Sequence, residues 1–441
     1  MKNDPGKGRH GGRSDDSTGI IDTKDENMNL KLSDFQAAKE LLSSVVNRTP
    51  LDYLENFSEQ HGCQIYAKRE DLQVVRSYKI RGAYFMIASL TEEERQSGVI
   101  CASAGNHAQG VAYACNKLGI RGRIYMPETT PKQKIKQVKR HGNGQVEIIM
   151  VGDTFDQSYA AAISYSKESG RRLIPPFDNK LIVQGQGTVG LEILEDLDEP
   201  LDYLFIPIGG GGLAAGIGPV FWSNSSKTKL IGVEPAGAPA MKKSIEAGKV
   251  IELDEIDTFT DGAAVRRVGE LTFPVCQNYL DEVITVPEGL ICQTILKLYN
   301  ENAIVAEPAG ALSLAAVELM KDKLKGKRVG VIISGGNNDI TRFPDFKERA
   351  LLYSKLKHYF IVRFPQRPGA LKQFVHDVLG PDDDIVHFEY SKKTARENGP
   401  ALVGIELKKP EDFEPLLVRM KDMGFYSEYV NDRVELMQFL V

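Results

Sequence analysis

The feature that most constrains the fold is the alternation of short apolar runs with alanine-rich helical segments between residue 64 and about residue 340. Several of these runs are apolar throughout, as expected for parallel strands that are covered on both faces. The predicted strands include 99–103, 123–126, 146–151, 203–208, 230–234, 282–286 and 328–334, and the predicted helices include 107–118, 155–166 and 309–321. This pattern predicts an α/β fold with a mostly parallel sheet, in which ligands bind beyond the carboxyl ends of the strands.

The composition argues against several classes of protein. A chain of 441 residues is long enough for two or three domains. The net charge of −5 and the lack of a long basic run argue against a nucleic-acid partner, and the apolar runs are too short to cross a membrane. The five cysteines are odd in number and lack metal-ligand spacing, so we expect reduced thiols in a cytoplasmic protein.

The N-terminal end has no apolar segment typical of a secretory signal. Residues 1–30 are rich in Gly, Asp, Lys and Ser and contain few large apolar residues, which predicts a disordered tail. Ser33 and Gln36 have the spacing of a capping box, so we expect the first helix to begin there, with Ser33 as its N-cap.

Lys79 is the first candidate catalytic residue. It precedes a helix-like segment at residues 82–90, and the free N–H groups of a helix start make the surroundings electropositive. Such surroundings disfavour the ammonium form, and a neutral lysine amine can attack a carbonyl and form a Schiff base. Taken alone, a solvated surface lysine is the more common alternative.

The loop that follows the strand at 99–103 is a candidate binding site for a carboxylate. Small residues at 103–105 allow a ligand to approach the backbone, and the next helix begins with free N–H groups. Asn106 can both donate and accept hydrogen bonds. The alternative is an ordinary strand-to-helix turn with His107 at the start of the helix.

Four consecutive glycines at 209–212 follow the strand at 203–208 and precede a helix rich in Ala and Gly. A row of N–H groups backed by a helix dipole suits an anion such as phosphate. No Lys-Ser or Lys-Thr follows, so the loop is not a nucleoside-triphosphate P-loop. Gly209, Gly211 and Ala214 also fit a dinucleotide fingerprint, with Glu234 as the ribose ligand. A tight turn without a ligand is the third alternative.

A third loop follows the strand at 328–334 and reads Ser-Gly-Gly-Asn-Asn-Asp. Ser334 offers a neutral hydroxyl at the end of the strand, although the motif alone is equally typical of a plain turn. Because ligands in such folds bind beyond the carboxyl ends of the strands, the loops just after these strands are where we expect the ligand site.

In combination these motifs resemble a known family. Residues 77–83, the run Ser-Ala-Gly-Asn-His-Ala-Gln at 103–109, the four glycines and residues 334–337 are similar to those of the threonine dehydratases. These are pyridoxal-phosphate enzymes of the tryptophan-synthase β-like fold, or fold type II, with two open, twisted, mostly parallel sheets and helices. The resemblance spans about residues 35–441 and implies pyridoxal 5′-phosphate in the glycine loop, not a dinucleotide.

The resemblance implies a role for each of these residues. Lys79 forms the Schiff base with the cofactor and, once the amine of threonine displaces it, acts as the general base. Asn106 hydrogen-bonds the ring hydroxyl, and Ser334 the pyridine nitrogen. The phosphate is held by Gly209, Gly210, Gly211, Gly212 and Leu213, and the substrate carboxylate by the backbone of Ser103, Ala104, Gly105, Asn106 and His107. The implied reaction is β-elimination of L-threonine to 2-oxobutanoate and ammonia, the first step of isoleucine biosynthesis.

At two positions the sequence differs from close relatives with this fold, and each difference predicts that a property of those relatives is absent here. Ala104 stands where serine racemases have a proton-donating serine, so we expect no appreciable racemisation. Glu234 is present, but Ala240 stands where metal-binding relatives have an aspartate, so we expect no metal at that position.

The pattern changes after residue 353, where the predicted strands and helices give the order strand-helix-strand-strand-helix-strand. This order predicts a ferredoxin-like domain whose last strand is 434–441. The loop Arg367, Pro368, Gly369, Ala370 and Leu371 resembles the effector loop of ACT-like regulatory domains. We therefore expect a catalytic domain over residues 31–350 and a regulatory domain over 355–441, the alternative for the latter being a domain used only for subunit contacts.

The family implies inhibition by isoleucine, relief by valine, and assembly into homodimers or homotetramers. Two alternatives stay open at this point. A serine-preferring dehydratase shares every motif named above, and an amino-acid sensor with an inert catalytic half retains the same pattern. Kinetics with threonine and serine, and borohydride reduction of the cofactor onto Lys79, distinguish these alternatives.

Overall fold

The computed structural model describes residues 30–390, 398–437 and 440. The helices are α1 (Leu32–Leu42), α2 (Glu55–His61), α3 (Lys79–Ala88), α4 (Glu92–Ser97), α5 (Asn106–Leu118), α6 (Lys132–Gly142), α7 (Phe155–Ser169), α8 (Lys180–Asp196), α9 (Gly212–Asn224), α10 (Ala240–Ala247), α11 (Thr272–Tyr279), α12 (Glu288–Asn302), α13 (Pro308–Leu324), α14 (Phe343–Tyr353), α15 (Ala370–Asp377), α16 (Phe413–Asp422) and α17 (Val434–Met437). The strands are β1 (Leu51–Tyr53), β2 (Gln64–Arg69), β3 (Val99–Ala102), β4 (Gly122–Met126), β5 (Val146–Met150), β6 (Arg172–Leu173), β7 (Tyr203–Pro207), β8 (Lys229–Pro235), β9 (Glu282–Val286), β10 (Arg328–Ile333), β11 (Lys357–Pro365), β12 (Asp384–Tyr390), β13 (Asn398–Glu406) and β14 (Tyr426–Tyr429).

Two mostly parallel sheets form the larger part of the molecule. The first has six strands in the order β1-β2-β10-β7-β8-β9, and the second has four in the order β5-β4-β3-β6. Every pair in these sheets is parallel except β1 with β2. This arrangement confirms the predicted α/β fold with two mostly parallel sheets.

The core explains why these strands are apolar throughout. All four residues of β3 are buried, as are the last five of β10, because helices cover both faces of each sheet. One cluster of buried side chains joins the six-stranded sheet to α12 and α13, and another joins it to α8 and α9. The smaller sheet packs on α3 and α5 in a third cluster.

The C-terminal part forms an antiparallel sheet in the order β12-β13-β11-β14, with α15 and α16 between its strands along the chain. This is the predicted ferredoxin-like order. Its last strand was predicted wrongly, however. β14 occupies the place beside β11, with Tyr429 opposite Phe360, so the sheet edge is already filled before residue 434. Val434–Met437 is a short helix, and residues 438, 439 and 441 lie outside the described part.

The start of the ordered chain also differs from the prediction. Helix α1 begins at Leu32, and the carboxylate of Asp34 accepts a hydrogen bond from the N–H of Lys31 at 3.2 Å. Ser33 is therefore not the N-cap. Instead, a charged carboxylate at the third helical position accepts the hydrogen bond at the start of the helix. The predicted tail falls almost wholly on residues 1–29, outside the described residues, and Leu30 is already buried.

Two further findings bear on the class of protein. Within the described ranges, no helix is long and apolar enough to span a bilayer. All five cysteines lie in those ranges, and each is buried with a free thiol.

Candidate active site

Lys79 is the first residue of α3, which packs against α5, the helix that follows β3. Its Nζ donates a hydrogen bond to the carbonyl oxygen of Pro176 at 2.8 Å. Burial lowers the pKa of the Lys79 amine to about 8, and the charge of Glu307 opposes that shift only in part. The neutral amine, which is the form that attacks carbonyls and accepts protons, is therefore about half of the population near pH 8, far more than for an ordinary lysine.

Backbone hydrogen bonds tie the segment before Lys79 to the loop after β10. The N–H of Tyr78 donates to the carbonyl oxygen of Ser334 at 3.2 Å, and Ser77 forms an isolated β-bridge with Gly335. The hydroxyl of Ser334 is buried and donates to the carbonyl oxygen of Ala309 at 3.1 Å. The structure therefore brings Lys79 and Ser334 together, although they are far apart along the chain.

Asn106 lies near Lys79 and Ser334. It is the first residue of α5, the helix that follows β3 of the four-stranded sheet. Its Nδ2 donates to Oε1 of Glu307 at 2.5 Å, and its Oδ1 accepts from Nδ2 of Asn337 at 2.7 Å. One hydrogen of the Nδ2 amide is left for a ligand, since the group carries two. The first and third predicted loops are thus connected through Asn106.

Glu307 is a site residue that the sequence reasoning missed. It is buried at the start of α13, and its backbone N–H donates to the carbonyl oxygen of Gly335 at 3.1 Å. Burial, and then the nearby charge of Asp261, raises the pKa of the Glu307 carboxyl to about 7. In the sequence, Glu307 is marked only by its place before Pro308, and a glutamate before a proline is typical of any helix start.

The other predicted residues of the first loop contribute mainly to local structure. Ser103 Oγ accepts a hydrogen bond from the N–H of Gly105 at 3.2 Å. Nε2 of His107 lies 2.8 Å from the carbonyl oxygen of Ile174. Burial, followed by the charge of Lys79, lowers the pKa of His107 to about 3, so its ring is neutral at physiological pH. Ala104 offers no side chain to a ligand beyond its methyl group.

The glycine loop has no room for side chains. A Cβ atom on Gly210 would lie 2.3 Å from the ring of Phe177, and one on Gly211 would lie 2.8 Å from Oγ1 of Thr272. Gly211 also has a φ of +95°, which favours glycine. Leu213, by contrast, buries its side chain in the core, so only its backbone is available to a ligand.

The same loop offers hydrogen-bond donors. In the part of the chain that the structure describes, the N–H groups of Gly209, Gly210 and Gly211 donate to no protein acceptor. They lie at the N-terminus of α9, which is an arrangement that suits a phosphate. Phe177 connects the loop to Lys79, because its ring covers Gly210 and its neighbour Pro176 accepts the hydrogen bond of Lys79.

Comparison with known proteins decides the family. Residues 42–335 match the family described as pyridoxal-phosphate-dependent enzyme, and residues 348–440 match the C-terminal regulatory domain of threonine dehydratase. The chain belongs to the threonine dehydratases. The biosynthetic L-threonine dehydratase IlvA of Halalkalibacterium halodurans is 54% identical over 412 residues, covering 93% of this chain and 99% of that protein. The corresponding Bacillus subtilis enzyme is 50% identical over 416 residues, covering 94% and 99%.

Solved structures agree with this assignment. The processed form of threonine deaminase isoform 2 from Solanum lycopersicum is 40% identical, with a TM-score of 0.70 over 73% of this chain and 87% of that one. The threonine dehydratases are pyridoxal-phosphate enzymes, and the residues present here fit that cofactor. The amine of Lys79 suits its aldehyde, and the free N–H groups of the glycine loop suit its phosphate.

Glu234 has a structural role instead of the ribose contact considered above. Its carboxylate accepts hydrogen bonds from the N–H groups of Met241 and Lys242, at 2.7 and 2.8 Å, and so caps α10. Burial nonetheless raises the pKa of Glu234 to about 7. Among the described residues, no three His, Cys, Asp or Glu side chains are grouped to hold a metal ion. The expected absence of a metal stays a prediction.

The predicted effector loop lies between β11 and α15. Gly369 has a φ of +85°, and the Arg367 side chain donates to Oε1 of Gln373 at 2.6 Å. Leu371 is half exposed and lines an open, mainly apolar groove of about 820 Å³ on α15, together with Val375. The comparisons place a regulatory domain here and leave the role of this loop a prediction.

Proposed function

We propose that this threonine dehydratase converts L-threonine into 2-oxobutanoate and ammonia by β-elimination. The single observation that carries the proposal is the Lys79 amine, with a pKa lowered to about 8, at the junction of the three strand-end loops. The elements of water are eliminated across the Cα–Cβ bond of the substrate. A later hydrolysis of the elimination product consumes one water and releases ammonia. The names of the similar enzymes support threonine as the substrate.

Each residue of the site has a proposed task. When bound, pyridoxal phosphate supplies an electron sink for the charge that develops at Cα. Lys79 would hold the cofactor covalently and, when displaced by substrate, take the proton from Cα. The N–H groups of Gly209, Gly210, Gly211 and Gly212 and that of Leu213 would hold its phosphate. The backbone at 103–107 would hold the substrate carboxylate.

Asn106 and Ser334 would orient the cofactor ring. The second Nδ2 hydrogen of Asn106 would bond the ring hydroxyl, while Glu307 and Asn337 keep the amide in one orientation. Ser334 would bond the pyridine nitrogen through its hydroxyl. A neutral hydroxyl enforces protonation of that nitrogen less strongly than a carboxylate, which favours elimination over transamination.

An assay of 2-oxoacid release tests the reaction. With the holoenzyme, we expect a higher kcat/KM for L-threonine, which gives 2-oxobutanoate, than for L-serine, which gives pyruvate. A higher value for serine would make the protein a serine dehydratase, and no product from either would contradict the proposal. Chiral analysis of serine recovered from the same reactions should find no D-serine, because Ala104 cannot donate a proton.

Replacing Glu307 by glutamine should change the pH dependence of the reaction. The ionised carboxylate accepts a charge-assisted hydrogen bond from Asn106, so kcat/KM should fall as the pH drops through the Glu307 pKa of about 7. In Glu307→Gln the part of that decrease centred near pH 7 should disappear, leaving only the titration of the Lys79 amine near pH 8, and kcat should be about tenfold lower at pH 8 because a neutral bond replaces a charged one. The measurement is kcat/KM between about pH 6 and pH 9.

A matched control keeps the carboxylate and changes only its surroundings. The charge of Asp261 raises the pKa of Glu307, so Asp261→Asn should move the decrease in kcat/KM to lower pH. If Glu307→Gln retains the wild-type decrease near pH 7, Glu307 is not the group that titrates.

Regulation by isoleucine is the finer part of the proposal, and the match to a threonine dehydratase regulatory domain supports it. Isoleucine should raise the threonine concentration at half-maximal velocity by about fivefold or more, a typical allosteric coupling, and valine should reverse the effect. D-Isoleucine is the control and should do neither. The account of regulation fails if L-isoleucine alters neither velocity nor the size of the homodimer or homotetramer that we expect in solution.

The proposed domains and location follow from the same observations. Residues 31–350 would form the catalytic domain and residues 355–441 the regulatory domain, since α14 ends at Tyr353 and β11 begins at Lys357. Tyr359 Oη donates to Glu348 at 2.8 Å across this junction, and Lys357 forms an ion pair with the same carboxylate. The five free cysteines support a cytoplasmic location.

A further inference from the structure

The segment from residue 174 to residue 178 joins β6 to α8 and reads Ile-Pro-Pro-Phe-Asp. We call it the proline strap. In its middle, the carbonyl oxygen of Pro176 accepts the hydrogen bond of the Lys79 amine at 2.8 Å. The functions proposed above use this amine but give no task to the carbonyl that holds it. The position of the strap therefore decides where the amine lies before it reacts.

Two consecutive prolines make the strap an acceptor beside the amine. Pro175 and Pro176 have no backbone N–H, so neither can donate a hydrogen bond to the nitrogen lone pair of Lys79. Each proline ring also fixes φ at about −65°, which limits the movement of the carbonyl. A neutral amine that gives one hydrogen to a fixed carbonyl keeps its lone pair free and restricts the directions in which that lone pair points.

The first residue of the strap is anchored by His107. Nε2 of His107 lies 2.8 Å from the carbonyl oxygen of Ile174, and the N–H of Ile174 donates to the carbonyl oxygen of Ile100 at 2.8 Å. Because a carbonyl only accepts, the hydrogen of the neutral His107 ring is on Nε2. The start of the strap is thus fixed to β3 and to α5, the helix that also carries Asn106.

The last residue of the strap is anchored by its own carboxylate. That carboxylate, of Asp178, accepts hydrogen bonds from the N–H groups of Glu270, Leu271 and Thr272, at 3.0, 2.9 and 3.2 Å. These bonds are charge-assisted and lie at the electropositive start of α11, so they hold the strap firmly. A Cβ atom on Gly269 would collide with the carboxylate, so the backbone is closely fitted around it.

The corner formed by residues 269–272 also holds the glycine loop. Thr272 Oγ1 donates to the carbonyl oxygen of Gly210 at 2.5 Å, and the N–H of Gly269 donates to the same oxygen at 3.2 Å. One corner therefore supports both the Lys79 amine and the proposed phosphate site, through separate hydrogen bonds. The bonds of Asp178 hold the strap, whereas the side-chain bond of Thr272 holds the loop.

We propose that Asp178 is a positioning residue, which acts through the proline strap to keep the Pro176 carbonyl in place and the Lys79 lone pair directed at the carbon with which it reacts. This role rests on the function proposed above for Lys79 and adds the element that orients it. Inside a protein, a displacement of about 1 Å between reacting groups can cost about a hundredfold in rate. The amine would return to the same carbonyl whenever it is free, so the strap would serve both the capture of the aldehyde and the transfer of the proton from Cα.

Capture of the cofactor aldehyde by the full-length apoenzyme tests this role without threonine. Saturating pyridoxal 5′-phosphate is added, and absorbance follows the C=N bond, which forms as both hydrogens of the amine leave with the aldehyde oxygen as water. Asp178→Ala should slow this step about tenfold or more, because the strap loses its anchor. Asp178→Asn keeps one oxygen for Leu271 and Thr272, so it should slow the step less than about threefold.

Thr272→Val is the matched control at the same corner. It removes the side-chain hydrogen bond to Gly210 and leaves the strap anchored. Pyridoxine 5′-phosphate, which has the phosphate but no aldehyde, should therefore bind about threefold more weakly to Thr272→Val, with capture at saturation unchanged. In Asp178→Ala its affinity should change less than about twofold, since the glycine loop keeps its own bonds. Equal slowing of capture in Asp178→Ala and Thr272→Val, or capture in Asp178→Ala at the wild-type rate, would overturn the proposal.

Steady-state kinetics on the holoenzyme separate this role from the proposed reaction. Asp178→Ala should lower kcat for threonine about tenfold and change KM less than about twofold, and Asp178→Asn should recover most of the loss. If capture responds as predicted but the wild-type protein releases no 2-oxobutanoate, the proposed reaction is wrong and the role of Asp178 stands. If Asp178→Ala matches the wild type in both capture and kcat, the role of Asp178 is wrong and the reaction stands.

Discussion

Replacing Lys79 by alanine should abolish the dehydration of threonine, with kcat at least about a thousandfold below wild type. The substitution removes both the amine that would hold the cofactor and the base that would take the proton from Cα. Stopped assays for 2-oxobutanoate, at enzyme concentrations high enough to detect the residual rate, measure the loss. The fold should be unaffected, because Lys79 makes one side-chain hydrogen bond, to the carbonyl oxygen of Pro176.

Lys79→Arg separates the chemistry of the amine from its charge. Arginine keeps the positive charge and a long side chain, but its guanidinium stays protonated throughout the pH range of the assay and cannot act as a neutral amine. It should therefore be as inactive as Lys79→Ala. Retention of more than a few per cent of wild-type activity in either variant would mean that another group performs the proton transfer.

The largest expected loss of stability comes from Arg81, two residues after Lys79. Its buried guanidinium donates to Glu70 at 2.8 Å and to Glu192 at 2.7 Å, and Lys68 pairs with the same Glu192 at 2.9 Å. Arg81→Met should leave the carboxylate of Glu70 buried without its charged partner, lowering the free energy of unfolding by about 3–5 kcal/mol. Urea denaturation followed by circular dichroism measures the change.

A matched arginine on the surface provides the control for Arg81. Arg267 pairs with Glu270, and both side chains are about half exposed, so Arg267→Met should cost less than about 1 kcal/mol. If Arg81→Met is no more harmful than Arg267→Met, the buried ion pairs do not hold the start of α3 in place. In that case the position of Lys79 must depend on backbone contacts alone.

The strands and the loops that meet at the candidate site were predictable because both depend on local patterns. A strand covered on two faces must be apolar along its length, as β3 and β10 are. Loops with glycine and small residues after such strands then indicate where a ligand approaches. The boundaries were less accurate, and α3 begins at Lys79 itself, whereas the sequence suggested residue 82.

Glu307, Arg81 and Phe177 could not be identified in this way, because their roles depend on contacts between distant parts of the chain. Glu307 meets Asn106 across 201 positions, and Arg81 meets Glu192 across 111. In the sequence, Arg81 is one more charged residue on a helix, and Glu307 is one more helix start. Phe177 gains its importance only because its ring covers Gly210.

The two errors in secondary structure have the same origin. Residues 434–441 have a pattern that suits a strand, but the sheet edge beside β11 is already taken by β14. Ser33 suits an N-cap, but Asp34 binds the N–H of Lys31 and moves the start of the helix. In each case another residue or strand occupies the predicted position, since Lys31 is the N-cap of α1 and β14 is the strand beside β11.

The most direct test of the whole account is to reduce the holoenzyme with borohydride, digest it with trypsin and locate the modified lysine by mass spectrometry. We predict that the added mass of reduced pyridoxal phosphate lies on the peptide covering residues 77–81, on Lys79. Modification of a different lysine, or an unmodified Lys79 in an enzyme that still forms 2-oxobutanoate, would contradict the account.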